Sequence, residues 1–242
     1  MTNSEFSNQF DLLVSSYRRF RDFDGKEPSD TIEFDEYEKS LFLTKTQEDL
    51  VVGLYSGRNV TGMSFEEVEE LRRYLSNLVR EAKLFPLTNT SGILGINSKS
   101  KFFTLPENLW FITYESVLVS DARCKEMSTL DVLPVTQDEY ARIKRNPFRG
   151  ANKRRALRLD LSEGNIEIVS SLTVVEYYIR YLKKVKPIVL VDLPDDLTIE
   201  GVSGQTESEL PEVLHQRILE MAVSRAMQSK GYSREQKKIE NN

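Results

Sequence analysis

The chain is short of the residues on which most enzyme chemistry rests. Its 242 residues include one cysteine, Cys124, and one histidine, His215. A lone cysteine excludes an intrachain disulfide and is consistent with a reducing compartment. One Cys and one His cannot build a Cys/His zinc site. A Ser-His-Asp or Cys-His centre would have to use His215, which sits in a strong helical pattern and reads as a structural residue. No GxGxxG occurs, and Gly57–Ser64 (GRNVTGMS) has phosphate-loop glycine spacing but Met63 in place of the lysine. Apolar runs are short, as at Ile188-Val189-Leu190-Val191, far below the ~20 residues that span a bilayer. The N-terminus, MTNSEFSNQFDLL, has no basic region leading into an apolar one, so no signal peptide is expected. No cofactor, metal, membrane or catalytic residue is therefore expected. A carboxylate-dependent hydrolase stays open only because 38 acidic residues always permit some pair to meet.

What the chain does have is charge sorted along its length. The whole carries a formal net charge of -5, yet Arg142 to Arg158 (RIKRNPFRGANKRRALR) is basic throughout. That stretch holds Arg142, Lys144, Arg145, Arg149, Lys153, Arg154, Arg155 and Arg158 with no acid among them. Such a local reversal of sign fits nucleic acid or an acidic protein surface. The second kind exists in the same chain: Asp22 to Glu38 contains Asp22, Asp24, Glu27, Asp30, Glu33, Asp35, Glu36 and Glu38 against Lys26 alone. One acidic and one basic segment allow copies to bind head to tail, and such contacts close into rings when the rotation permits. Solvated loops are the plainer reading of both runs. A nucleic-acid-binding module using the basic segment with Phe148 and Tyr140 is the other alternative; the acidic total and the lack of a recognisable binding motif weigh against it.

Hydrophobic content of 39% provides for a packed core. Phe6, Phe10, Leu13, Val14, Tyr17 and Phe20 predict an amphipathic helix from about Ser4 to Arg21. Thr31–Leu41 is a short helix or extended. Thr44 with Gln47 is spaced as a capping box for a helix that stops at Ser56-Gly57. Ser64 with Glu67 opens the clearest predicted helix, to about Lys83, along Phe65, Val68, Leu71, Leu75, Leu78 and Ala82. Residues 84–106 read as a loop or hairpin arm. Strands are predicted at Leu109–Ser120, at Leu130–Val135, in a hairpin over Leu157–Val169 turning at Ser162-Glu163-Gly164, and over Val174–Val185, where a helix can also be drawn but the preceding strands and β-branched start favour a strand. Between them, Thr136 with Glu139 caps a single-turn helix. Ile188–Val191 is extended. The last helix starts at Leu210-Pro211 and has two apolar stripes, so it is either fully interior or shared with a neighbour. The predicted class is α+β, with N-terminal helices and a long C-terminal helix around a mainly antiparallel sheet. One domain is expected over 1–230 (helical 4–83, loop or arm 84–106, β-rich 107–193, linker and helix 194–230), followed by a polar tail, 231–242.

Particular stretches resemble a known family. Asp35–Gly57 (DEYEKSLFLTKTQEDLVVGLYSG) is similar to a segment of structural proteins of crAss-like bacteriophages. So are Leu133–Phe148 (LPVTQDEYARIKRNPF), LRLD at Leu157–Asp160, YYIRYLKKVKPIVL, and the LPEVLHQRILEMAVSRAM helix, in the family's order. The resemblance covers roughly residues 5–230 and leaves the loop at 84–106 unmatched. It implies a non-enzymatic neck or ring protein of the head-to-tail connector: a homo-oligomeric ring, typically of twelve copies, beneath the portal. Such a ring joins capsid to tail and continues the DNA channel. Implied partners are further copies, the portal protein, other neck or tail proteins, and passing DNA in transient non-specific contact. The implied location is the virion, after assembly in the host bacterial cytoplasm. Expected contact residues are the basic set above, facing Asp30, Glu33, Asp35 and Glu36 of a neighbour or lining the lumen, and Leu214, Ile218 and Met221 of the last helix. A strongly basic lumen would hold phosphates and hinder DNA transit, which favours the contact between proteins.

Overall fold

A computed structural model describes residues 1–22, 33–58, 62–88, 95, 100–121, 127–194 and 196–230. The fold is α+β, and the chain divides into two compact units, one of residues 1–78 with 185–242 and the other of residues 79–184.

The first unit is helical. Helix α1 (Asn3–Asp22) buries Phe6, Phe10 and Val14, which recur every fourth residue. Helix α2 (Glu36–Ser56) begins eight residues before the predicted start at Thr44. Its cap is Asp35, whose side chain accepts from the Glu38 N–H at 2.6 Å while Glu38 accepts from the Asp35 N–H. It ends, as predicted, at Gly57, which takes the left-handed conformation at φ 77.

Thr44 and Gln47 are not a cap but part of a buried polar stripe. Ser40, Thr44 and Gln47 lie on one face of α2 and serve the backbone of an extended segment at every second residue. Gln47 donates to the Lys186 carbonyl at 2.8 Å. Thr44 accepts from Ile188 N at 3.0 Å and donates to its carbonyl at 3.2 Å. Ser40 accepts from Leu190 N at 3.0 Å. The periods agree: four helical residues rise about 6 Å and two extended residues about 6.6 Å. On the segment's far side Val189 bridges Thr206, and Asn3 of α1 donates to the Val189 carbonyl at 3.0 Å.

Helix α5 (Glu212–Ser229) closes this unit. Leu214, His215, Ile218, Leu219, Ala222, Val223, Ala226 and Met227 are all buried, so both apolar stripes are used at home. His215 packs on Phe6 and its Nε2 donates to the Leu210 carbonyl at 2.9 Å. On α2, Lys39 sits buried with its ammonium against Asp11 at 2.7 Å and Glu36 at 2.8 Å. Burial pulls the Lys39 pKa down, but those two carboxylates outweigh it and leave it above the usual lysine value.

The predicted helix over 64–83 is a correction. Only α3 (Glu69–Tyr74) is helical, followed by a 3₁₀ turn at Ser76–Leu78. Leu71, Leu75 and Leu78 are buried as the period required. Beyond them, Val79–Leu84 leave the helix and form strand β1, because pairing with a neighbouring strand outweighs weak helical propensity.

The second unit is one curled sheet with strands β1, β2 (Lys101–Thr104), β3 (Leu109–Ser120), β4 (Met127–Pro134), β5 (Arg155–Asp160), β6 (Asn165–Val169) and β7 (Thr173–Lys183). The order is β1-β7-β3-β4-β5-β6-β2. Every pair is antiparallel except β4 with β5. The chain after β1 returns to the far end of that order, where Leu87 N donates to the Phe102 carbonyl at 2.8 Å. The segment at 84–106 therefore contributes a strand. One face of the sheet buries Phe103, Val117, Val119, Ile166, Ile168, Tyr177 and Ile179. The β5–β6 hairpin turns as predicted, with Glu163 at φ 58 and Gly164 at φ 71, the left-handed pair that suits strand twist.

Two outcomes are expected. Thr44→Val strips both backbone groups of Ile188 of their partner, and should cost about 2–3 kcal/mol in a urea titration. Burial lowers the pKa of His215 below its ordinary 6.5. Above about pH 7.5 both states are neutral there; as pH falls, the unfolded chain takes up the proton first, so stability drops. The urea midpoint should fall between about pH 7.5 and 5.5, and less steeply in His215→Gln.

Candidate functional site

Parallel strands cannot be joined by a tight turn, so the β4–β5 pair requires a crossover, and residues 135–154 supply it. The crossover opens with helix α4 (Gln137–Ile143), capped by Thr136, which accepts from the Glu139 N–H at 3.2 Å. Tyr140 and Ile143 bury themselves against Val135, Leu157, Leu159 and Val169 on the outer face of β5 and β6. Tyr140 is thus core and unavailable to stack on a base.

The remainder, residues 144–154, is a basic lobe held by its own hydrogen bonds. Asn146 N donates to the Ile143 carbonyl at 2.8 Å, and Gly150 N to the Asn146 carbonyl at 2.7 Å. The Asn146 side chain accepts from Phe148 N at 2.9 Å and Arg149 N at 3.2 Å. Asn152 repeats the device, its side chain accepting from Arg154 N at 2.8 Å. Gly150 is required by close approach: a Cβ there would lie 2.8 Å from the Asn146 carbonyl oxygen and 3.0 Å from that of Ile143.

Arg142, Lys144, Arg145, Arg149, Lys153 and Arg154 are all exposed on α4 and the lobe. Arg142 lies in the last turn of α4, where its charge suits the helix dipole. Lys153 has Asp121 at 4.0 Å. Arg155 is half-buried at the start of β5, opposite Asp131 in register.

Arg158 does not belong with them. Its guanidinium lies inside the sheet, where Nη1 donates to Glu115 at 3.1 Å and Nε meets Asp160 at 3.1 Å. Tyr177 donates its hydroxyl to the same Glu115 oxygen at 2.6 Å. Burial raises the Glu115 pKa, and Tyr177 and Arg158 hold the rise in check. Tyr177 is raised in turn by burial and by the Glu115 charge. The alternation of LRLD misleads here, because α4 covers Leu157 and Leu159 on one face and the sheet interior covers Arg158 on the other. A lone Glu in the apolar β3 was the available signal for its partner.

The expected acidic and apolar contacts fare differently. Asp30 lies outside the described residues, and Glu33 is exposed. Asp35 is spent on the α2 cap and Glu36 on Lys39. Leu214 and Ile218 fill the core of their own unit, while Met221 keeps 38% of its surface. Among the described residues, no cluster of His, Cys, Asp and Glu has the geometry of a metal site, and no helix is long and apolar enough to cross a membrane.

Residues 1–238 match the model of the family described as phage tail ring protein 3/4. The chain is 47% identical over 233 residues to a protein named Ring protein 3 of Bacteroides phage crAss001, covering 95% of this chain and 96% of that one. It is 28% identical over 236 residues to Ring protein 4/5 of the same phage, covering 93% and 92%.

The two kinds of arginine separate by stability. Arg158→Ala strands a buried Glu115 and should cost about 3–5 kcal/mol. Arg149→Ala removes an exposed charge and should stay within about 0.5 kcal/mol. Chemical denaturation of both variants checks this.

Proposed function

The chain belongs to the phage tail ring protein 3/4 family of crAss-like bacteriophages, and from that premise we propose that it is a structural subunit of a virion ring. The observation that carries the reading is the end-to-end match, residues 1–238 with the family and 96% of Ring protein 3. On this reading the ring sits in the neck, between portal and tail, with twelve copies around a channel for DNA, and it assembles in the host cytoplasm before joining the particle.

The geometry supports an assembly role in two ways. The last helix spends its apolar stripes on its own unit, so the subunit has a filled core before it meets a neighbour. The basic lobe is the opposite: ordered by backbone hydrogen bonds, exposed, and charged against the sign of the whole protein. A charged surface of this kind steers encounter and fixes register more than it adds affinity. Repeated around a closed ring, modest contacts reinforce one another. The net charge of -5 suits a wall along which DNA slides, so the lobe is assigned to a protein neighbour and not to the lumen.

The test reverses charge on the exposed set and spares Arg158. Arg142→Glu, Arg149→Glu and Arg154→Glu together should leave the circular dichroism and melting of the subunit nearly unchanged and abolish rings in electron micrographs of assembled particles. Intact rings with altered DNA release would move the lobe to the channel, and particles lacking this protein altogether would end the ring reading.

A further inference from the structure

Phe148 is the most exposed large apolar side chain among the described residues, at 85%. Its position is not a by-product of a loose loop. The turn that carries it is fixed by both N–H bonds to the Asn146 side chain and by the Gly150–Asn146 backbone bond, so the ring is kept in water. Leaving a phenyl group there forfeits the burial that a core position would have gained. The same crossover carries Arg142, Lys144, Arg145, Arg149 and Arg154, all exposed, while Lys153 of the lobe pairs with Asp121. A rigid aromatic flanked by arginines has the composition that dominates binding at the centres of protein interfaces.

The partner must offer acids around an apolar recess. Duplex DNA supplies phosphates but no recess for a phenyl ring. This chain supplies both kinds of group in one stretch: Asp22, Asp24, Glu27, Asp30 and Glu33, with only Lys26 opposed, interleaved with Phe23 and Ile32. We propose that Phe148 and the cations around it dock on the acidic stretch Asp22–Glu33 of a neighbouring copy, which makes this the head-to-tail contact of the ring. The inference rests on the ring reading, but its test does not need a ring to close.

A fluorescently labelled peptide of residues 22–34 is titrated with the full-length protein, read by anisotropy at low salt. Saturable binding is expected. Phe148→Ala should weaken it at least about tenfold, or about 1.4 kcal/mol, while Phe148→Leu retains most of it. Arg145→Ala with Arg149→Ala should weaken it and flatten its dependence on salt between about 50 and 300 mM. Absence of saturable binding overturns the proposal, and so does binding indifferent to Phe148, which would mark a purely ionic contact. Binding of a duplex DNA that depends on Phe148, with the peptide inert, also overturns it. Rings that form from a protein that ignores the peptide leave the ring reading intact and put the contact elsewhere. Peptide binding by a protein absent from the particle sinks the ring reading alone.

Discussion

The helical unit depends on a match between two repeats. Residues of α2 spaced by three or four meet residues of an extended segment spaced by two, and the distances along the two chains agree to within about 2 Å over each step. The extended segment has no strand partner on that side. Its buried N–H and C=O groups would otherwise go without bonds, which backbone rarely tolerates. Ser40, Thr44 and Gln47 answer them from the helix, and Thr206 and Asn3 answer from elsewhere. Hydroxyl and amide side chains are weak choices for a helix interior by propensity. Their presence on a buried face makes sense only as hydrogen-bonding equipment, and it forces the register of the segment that leads toward α5.

The sheet unit meets a related problem with charge. Where α4 also covers β5 and β6 the sheet loses its solvent side, so a polar residue that faces the interior there needs a partner. Arg158 and Glu115 sit on different strands of one interior, and Tyr177 completes the set. Each alone would be a costly buried group; together they satisfy one another. A pair of this kind adds little net stability over apolar residues but penalises any strand register that separates its members. Arg158 is therefore part of the fold, although the sequence groups it with the surface Arg154 four residues away.

The helices, the hairpin, the central strands and the fold class were legible because each rests on a local signal: the four-residue apolar period of α1, the Gly57 stop, the Thr136 cap, and the Glu163-Gly164 turn. The failures share a cause. Residues 79–84 carry a helical pattern of apolar residues, yet become β1 because β7 lies beside them, and no local signal reports a strand a hundred residues away. Thr44 and Gln47 imitate a cap because capping and segment-binding use the same chemistry. Arg158 looks exposed because alternation implies a wet face, which presupposes that only one face is covered. Leu214 and Ile218 were assigned to a neighbour because the width of an apolar arc gives the amount of surface to be buried and not what covers it. Of the expected site, the basic residues on α4 and the lobe are exposed, while Asp35, Glu36 and Arg158 hold the chain itself together.

The crossover shows where structural need ends. Parallel pairing of β4 and β5 demands a long connection, and burial of Tyr140 and Ile143 anchors it. Asn146, Gly150 and Asn152 then suffice to give the lobe its shape, since they account for its turns and its tight backbone approach. None of those demands involves the exposed side chains of Arg142, Lys144, Arg145, Arg149 or Arg154, and none involves an exposed phenyl ring at position 148. Like charges crowded on one lobe repel, and exposed aromatic surface costs solubility, so the fold alone would be served better by neutral polar residues at the same positions. The cost is confined to one preformed surface. It is offset only when a surface of opposite sign and with room for an aromatic ring comes to meet it.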